Sequence, residues 1–461
     1  MLREMRIQNF KAWRDTGPIR LAPITVFFGA NSAGKTSLLQ FLLMLKQTAE
    51  SPDRRRVLHL GDAYSLVDLG NFKDVAFRHT TDKTLSFAIS WKLSKGRSYH
   101  DPTDKQPDIE WSELSFNAGI SADSKGSPKL DHFSYELINR KEHTSVTVEL
   151  RQSSQAATKY SMKTEKYSLT RTVGRGWDLR SPVRFYGFPD EATIYYQNAG
   201  FVSDLTLEFE RQLQQVYYLG PLRQDPRRTY SWSGEVPQHV GTKGERSVEA
   251  ILASRERRIV PKSRARGLMF SQMISKWLDR LGLLSQFNAR EIAKDRKEYE
   301  VSVQTQGSET SVLLPDVGFG VSQVLPVVVE CFYAPANSTV VIEQPELHLH
   351  PRVQSELADL FIEAIRAREN DEDRGMQFII ESHSEHFLRR LQRRVAEGSL
   401  APQDIALYYC EPGDNGARIR ELPVNLFGEI SDWPDDFFGD ELSDIAARLD
   451  AASKREQNLN A

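Results

Sequence analysis

The chain has 461 residues, of which 39% are hydrophobic and 27% charged, and its formal net charge is −3, the profile of a globular protein long enough for a large core and more than one lobe. That near-neutral balance excludes an overall pull toward nucleic acid, so any such surface must be a local patch. No apolar run reaches the roughly 18 residues of a membrane span, residues 1–6 carry no signal-peptide core, and the two cysteines, Cys331 and Cys410, are too few for a disulfide framework; a cytoplasmic protein without membrane contact is expected.

Residues 3–10 read as a first strand, and the apolar run Ile24-Thr25-Val26-Phe27-Phe28 as a second that leads into Gly29-Ala30-Asn31-Ser32-Ala33-Gly34-Lys35-Thr36. This is the phosphate-binding pattern G-x-x-x-x-G-K-[ST], followed by a helical pattern from Ser37 to about Gln47. Gly29 and Gly34 let the backbone wrap an anion, so that the N–H groups of Asn31, Ser32, Ala33 and the first helical turn, Ser37 included, point at it. Lys35 is expected to reach the β/γ-phosphates of ATP and Thr36 to ligate Mg²⁺.

Residues 51–75 are loop-like, and from Thr84 to Thr172 alternating apolar residues with turn-rich breaks predict an antiparallel β-rich insert. A helix over Leu205–Gln214 and a buried strand from Val216 lead to a polar loop containing Arg223 and Gln224. Residues 246–286 read as helical. Within them Arg255, Arg257, Arg258, Lys262, Arg264 and Arg266 form the most basic run of the chain, either a solvated face or a contact to DNA. A hairpin over 298–314 precedes helix 321–332, strand 339–342, helix 351–368, strand 377–380 and helix 385–397, the alternation of a mainly parallel sheet with helical cover.

A phosphate loop needs an acid at the end of a buried strand, and Val340-Val341-Ile342-Glu343 supplies one, followed by Gln344-Pro345-Glu346. Ile379-Ile380-Glu381-Ser382-His383 repeats the design and would bring His383 beside the γ-phosphate. His348, His350, His383 and His386 raise the alternative of a zinc site and a hydrolytic metalloenzyme.

Five segments, Asn9-Phe10-Lys11, the GANSAGKT loop, GFGVSQ at Gly318–Gln323, EQPELHLHP at Glu343–Pro351 and ESHSEHFL at Glu381–Leu388, appear in family order. On these the chain resembles the ABC-type ATPases of the SMC/RecF/OLD group, most closely the compact prokaryotic members found in antiphage defence. The resemblance implies an α/β P-loop ATPase head: a mixed sheet with helical cover, an antiparallel β subdomain and a helical subdomain. Its parts would be a loop lobe (1–50), the β-rich insert (84–172), a Q-loop strand and helical subdomain (200–290), a signature, acid and switch-histidine half (309–425) and a tail (426–461). Glu343 would be the Walker B acid and a metal ligand with Thr36, and His383 the switch histidine. Gly318, Gly320, Ser322 and Gln323 would form the signature that caps a nucleotide on a second protomer, and Gln224 or Arg223 would hold the Q-loop position. ATP, Mg²⁺, a homodimer or higher oligomer and an effector protein such as a nuclease are the implied cofactors and partners. A RecF-like DNA-maintenance ATPase is the alternative.

Three departures matter. The chain has no long coiled coil and no carboxylate constellation resembling a Toprim nuclease. Gln344 stands where a catalytic glutamate is usual, so slow ATP hydrolysis is expected, with Glu346 and His383 as the other catalytic candidates.

Overall fold

The apolar run of residues 24–28 lacks polar alternation, as a strand covered on both faces requires. In the structure, a computed structural model describing residues 1–153, 159–174, 178–261, 266–293, 296–433, 437, 447–452 and 455, this run forms strand Ile24–Gly29 inside a six-stranded sheet. The order is Val216–Leu219, Thr339–Glu343, Gln377–Glu381, Ile24–Gly29, Ile405–Glu411, Arg418–Glu421, parallel throughout except for the last pair. Successive side chains enter opposite cores. Phe27, Val341, Ile379 and Tyr408 join the core beneath helix Lys35–Glu50. Val26, Phe28, Val340, Ile342, Ile380 and Leu407 join the core covered by helices Phe270–Arg280, Phe319–Tyr333, Pro351–Arg366 and Glu385–Ala396.

The β-rich insert is not free-standing. Its strands Leu85–Tyr99, Ile109–Ala122, Pro128–Asn139, Thr144–Gln152 and Tyr160–Glu165 follow one another as an antiparallel meander, and Leu85–Tyr99 pairs with the first strand, Leu2–Phe10. Helix Phe201–Gln214 closes its inner face, where the Phe209 ring stacks on Phe116 at 4.5 Å and lies 5.2 Å from Trp91. Among the described residues no helix is long and apolar enough to cross a membrane.

The stretch 246–286 departs from the expected continuous helix. Helices Ser247–Ala253 and Phe270–Arg280 are separated by a small hairpin pairing Arg258–Ile259 with Leu268–Met269, and strand Leu284–Glu291 begins inside the expected helical range. Pro261 has no amide hydrogen for a helix, and Val260 exchanges backbone bonds with Arg368. The apolar positions from Phe270 to Leu278 do line one buried helical face, so the 3.6-residue period was real but shorter than it looked. The expected hairpin is present: Glu298–Thr305 pairs with both Ser311–Leu313 and Leu284–Glu291.

Two arginines finish helix Phe319–Tyr333. Arg374, fully buried, donates to the carbonyls of Cys331 (3.0 Å), Phe332 (2.9 Å) and Ala334, while Arg257 donates to Phe332 and Tyr333 and pairs with Glu369 through both nitrogens at 2.9 Å. These carbonyls have no partner within the helix, and cations at a helix C-terminus complement its dipole. Arg374→Leu should therefore cost about 3–5 kcal/mol, the usual loss when one partner of a buried charged network is removed; a urea midpoint equal to that of the parent chain would contradict this role.

Candidate active site

The phosphate loop is shaped by its neighbours as much as by its own residues. Gly29 has φ +136°, and a Cβ there would lie 2.0 Å from the carbonyl oxygen of Cys410 on the adjacent strand, so only glycine fits. Ser32 (φ +61°) and Gly34 (φ +89°) take left-handed conformations that turn the chain into helix Lys35–Glu50. The Trp13 indole N–H bonds Gly34 O (3.1 Å) and Ser37 Oγ (2.9 Å), pinning the turn from behind. Asn31 and Ser32 remain exposed, and Ala33 is buried.

Lys35 Nζ donates to the carbonyls of Gly29 (3.0 Å) and Ala30 (2.7 Å) and lies 4.0 Å from Glu381 Oε1, with its side chain only 3% exposed. Burial lowers its pKa, against the opposing pull of Glu381. The Thr36 hydroxyl reaches Glu381, at 2.8 Å from Oε2 and 3.1 Å from Oε1. Glu343 stands beside Glu381 in register on the next strand, and its Oε1 accepts from Tyr218 Oη at 2.8 Å. Glu381 is thus the residue that sequence reasoning passed over as a site acid. The signal was there, in the second apolar strand ending in a glutamate.

The following turn gathers the remaining candidates. Gln344, at φ +44°, donates its backbone N–H to Glu381 O (2.8 Å). Glu346 is 7% exposed; its Oε1 accepts from the His383 backbone N–H at 2.6 Å, and its Oε2 has no partner among the described residues. The His383 ring is half-buried, and burial followed by Lys35 lowers its pKa. Arg223 is buried against this corner: Nη2 donates to the Glu343 carbonyl at 3.2 Å, Nε and Nη1 are unpartnered, and burial lowers its pKa to about 10. Of the two Q-loop candidates, Arg223 lies with the acid. Gln224 turns away, its amide oxygen facing Arg227 Nη2 at 2.6 Å, in a crevice that it shares with Ser322.

The GFGVSQ segment lies apart from these groups. Helix Phe319–Tyr333 starts after Gly318, Ser322 Oγ donates to Phe319 O (2.6 Å), and Gln323 is buried with Nε2 unpartnered. Gly318 has open space around it, and Phe319 is half exposed with its ring against His348. No hydrogen bond or ion pair among the described residues joins Gly318, Gly320 or Ser322 to the phosphate loop. Arg228 does tie the Arg223 loop to Asp316, just before the segment, through bonds of 2.7 and 3.2 Å. The histidines do not converge: His350 caps helix Pro351–Arg366, His348 meets Phe319, and His386 is exposed. In the basic run Arg257 is committed to Glu369, Arg255, Arg258 and Arg266 are exposed, and Lys262 and Arg264 lie outside the described residues.

Oxygen donors from Thr36, Glu343 and Glu381 form a set that suits a hard divalent cation, and the loop amides with Lys35 suit a phosphate chain. Burial, then the neighbouring Glu381, pushes the Glu343 carboxyl up to about 7, and burial raises Glu381 and Glu346 as well. A carboxyl that keeps its proton longer when folded contributes stability below its unfolded pKa, and this is lost as pH rises through the folded value. The denaturation midpoint of the nucleotide-free chain should therefore fall between about pH 5 and 7.5, with a slope of at most about 1.4 kcal/mol per pH unit from Glu343. Glu343→Gln should flatten that slope; an unchanged slope would show that Glu343 does not titrate there.

Residues 24–389 match the AAA_21 family, described as "AAA domain, putative AbiEii toxin, Type IV TA system", and residues 400–447 match DUF3696, a protein of unknown function. Among curated proteins none matches the chain. Solved structures similar to it include an SMC head bound to the C-terminal winged-helix domain of ScpA (12% identity, 92% of this chain and 98% of that one, TM-score 0.41). Others are the SMC head domain from Thermotoga maritima (8%, 91% and 98%, TM-score 0.39) and a Pyrococcus furiosus SMC head with an extended coiled coil bound to the C-terminal domain of ScpA (10%, 92% and 96%, TM-score 0.40). The family match runs unbroken through the phosphate loop, both acidic strand ends and His383, and the chain belongs to the AAA_21 family of P-loop ATPases.

Proposed function

We propose that the protein is an ATP-binding, slowly hydrolysing switch in which two protomers pair through sandwiched nucleotides and thereby control an effector protein in antiviral defence. The observation that carries the reading is the division of the site. Lys35, Thr36, Glu343, Glu346, Glu381 and His383 gather at one end of the central sheet, while the turn at Gly318 and the half-exposed Phe319, with Ser322 buried just behind them, lie elsewhere on the same chain with open space around Gly318. A signature without a phosphate of its own is of use to a nucleotide held by a second copy. The toxin–antitoxin wording of the family description supports a defence setting, and the family supports ATP as the ligand.

Lys35 would exchange its two loop carbonyls for phosphate oxygens, and Thr36 would release Glu381 on doing so. Mg²⁺, held by Thr36, Glu343 and Glu381, would supply charge neutralisation at the phosphates. The closed pair is favoured only by as much as ATP binds it better than the open one. For hydrolysis, the Gln344 amide can orient a water but cannot take its proton. Glu346, whose Oε2 has no hydrogen-bond partner among the described residues and whose proton affinity is raised by burial, would be the base, and its other oxygen is fixed by the His383 backbone.

Three outcomes test this. Lys35→Ala should lose tight ATP binding, and Ser322→Arg should keep it while losing ATP-dependent association in sedimentation; association that survives Ser322→Arg would reject the sandwich. Glu346→Gln should lower single-turnover hydrolysis by about 10²–10⁴-fold if Glu346 is the base. If Glu346→Gln has no effect and Gln344→Glu accelerates turnover, the base is absent and Glu346 only positions His383.

A further inference from the structure

At the end of the central sheet opposite Glu343, next to Gln215 and Asn337 where strands Val216–Leu219 and Thr339–Glu343 begin, lies a cavity of about 450 Å³. That volume lies within the usual range for a small-molecule site. Its wall is cationic: Arg3, Lys92, Lys95, Arg97 and Arg211 face it, against the single acid Glu208. Glu208 is already engaged by Arg211 (2.9 Å) and Arg97 (3.5 Å), and Arg3, Lys92 and Lys95 form no ion pair among the described residues. In a chain of net charge −3 this concentration of unmatched charge is local and specific. The pairing of strand Leu85–Tyr99 is interrupted between Lys92 and Arg97, and Lys95, within that interruption, lines the cavity.

Two buried donors bear on the ligand. Gln212, 4% exposed and part of the wall, has an Nε2 with no partner among the described residues. A second cavity of about 210 Å³ shares Arg97, Glu208 and Arg211 with the first and is lined otherwise by Ser98, Trp111, Asp204 and the exposed Leu207. The Trp111 indole N–H, on a side chain only 3% exposed, is also unpartnered. Unsatisfied buried donors cost free energy in the empty protein, and a ligand with acceptors removes that cost.

We propose that this two-chambered cleft is a second nucleotide site, separate from the phosphate loop, with the phosphates among Arg3, Lys92, Lys95 and Arg211 and the base against Trp111 and Leu207. The cations match a chain of two or three phosphates; the exposed Leu207 side chain and the edge of the buried Trp111 indole match a base. The site does not depend on the ATP-switch reading, because it lies at the other end of the sheet.

The test uses the full chain carrying Lys35→Ala, which disables the phosphate loop, and calorimetric titration with ATP, GTP and inorganic tripolyphosphate at low salt. All three should bind saturably, and Lys92→Ala, Lys95→Ala and Arg211→Ala combined should weaken them by at least about tenfold with an unchanged melting curve. Trp111→Phe should weaken the nucleotides and spare tripolyphosphate. Absence of heat with every probe at about millimolar concentration, or equal affinity in the combined variant, would overturn the site. Nucleotides indifferent to Trp111→Phe, or displacement of tripolyphosphate by a single-stranded oligonucleotide of higher affinity, would overturn the assignment to a nucleotide.

Discussion

Three carboxyl groups, Glu343, Glu346 and Glu381, and two cations, Lys35 and Arg223, are withdrawn from water at the same end of one sheet, and the molecule is arranged around that imbalance. Glu343 and Glu381 stand in register on neighbouring parallel strands; among the described residues Lys35 is 4.0 Å from Glu381 and divides its hydrogen bonds between neutral carbonyls, and the buried Arg223 guanidinium bonds the Glu343 carbonyl and leaves the carboxylate without a direct ion pair. Such an arrangement is costly unless a ligand completes it. The strands hold it in place because their side chains are apolar on both faces, so the polar ends have no freedom to turn into either core. The charge left unbalanced is what a ligand bringing its own cation would relieve.

Much of this was legible in sequence because it is local. The loop, the strand before it, the helix after it and the two apolar runs ending in glutamate are each contained in a dozen residues, and the structure shows each as an element. What was not legible is order across the sheet. Strand Gln377–Glu381 inserts between the loop strand and Thr339–Glu343, so the acid nearest Thr36 is Glu381, although Glu343 is the nearer in sequence. The same limit hid the union of the first strand with the β-rich insert, which is a pairing between residues about eighty apart. The misjudged helical stretch has a different origin. Its apolar period is true for one helix only, and what ends it is tertiary: Arg257 is drawn to Glu369 and Val260 to Arg368.

The segment from Arg223 to Arg228 joins the two halves of the proposed machine. One end holds the backbone of Glu343 and the other grips Asp316 beside the GFGVSQ turn, with Gln224 placed in the crevice of Ser322. A displacement of the strand end that carries Glu343 would therefore reach Asp316, just before the GFGVSQ turn, through a span of only six residues. Arg223 is the stiff part, buried with two of its nitrogens unpartnered, and Arg228 at the surface is the adjustable one.

The fit of Gly29 against Cys410 has a consequence for how the protein comes into being. The wall that shapes the loop entrance is strand Ile405–Glu411, and the strand on the other side of the loop is Gln377–Glu381, so a site whose signature residues are read early is enclosed by residues made late. During synthesis the first three hundred or so residues emerge with the loop strand lacking both neighbours, its backbone donors and acceptors exposed as two open edges. The loop therefore takes its shape only once strand Ile405–Glu411 has been made, and a chain cut short before that strand is an aggregation hazard rather than a partly active ATPase.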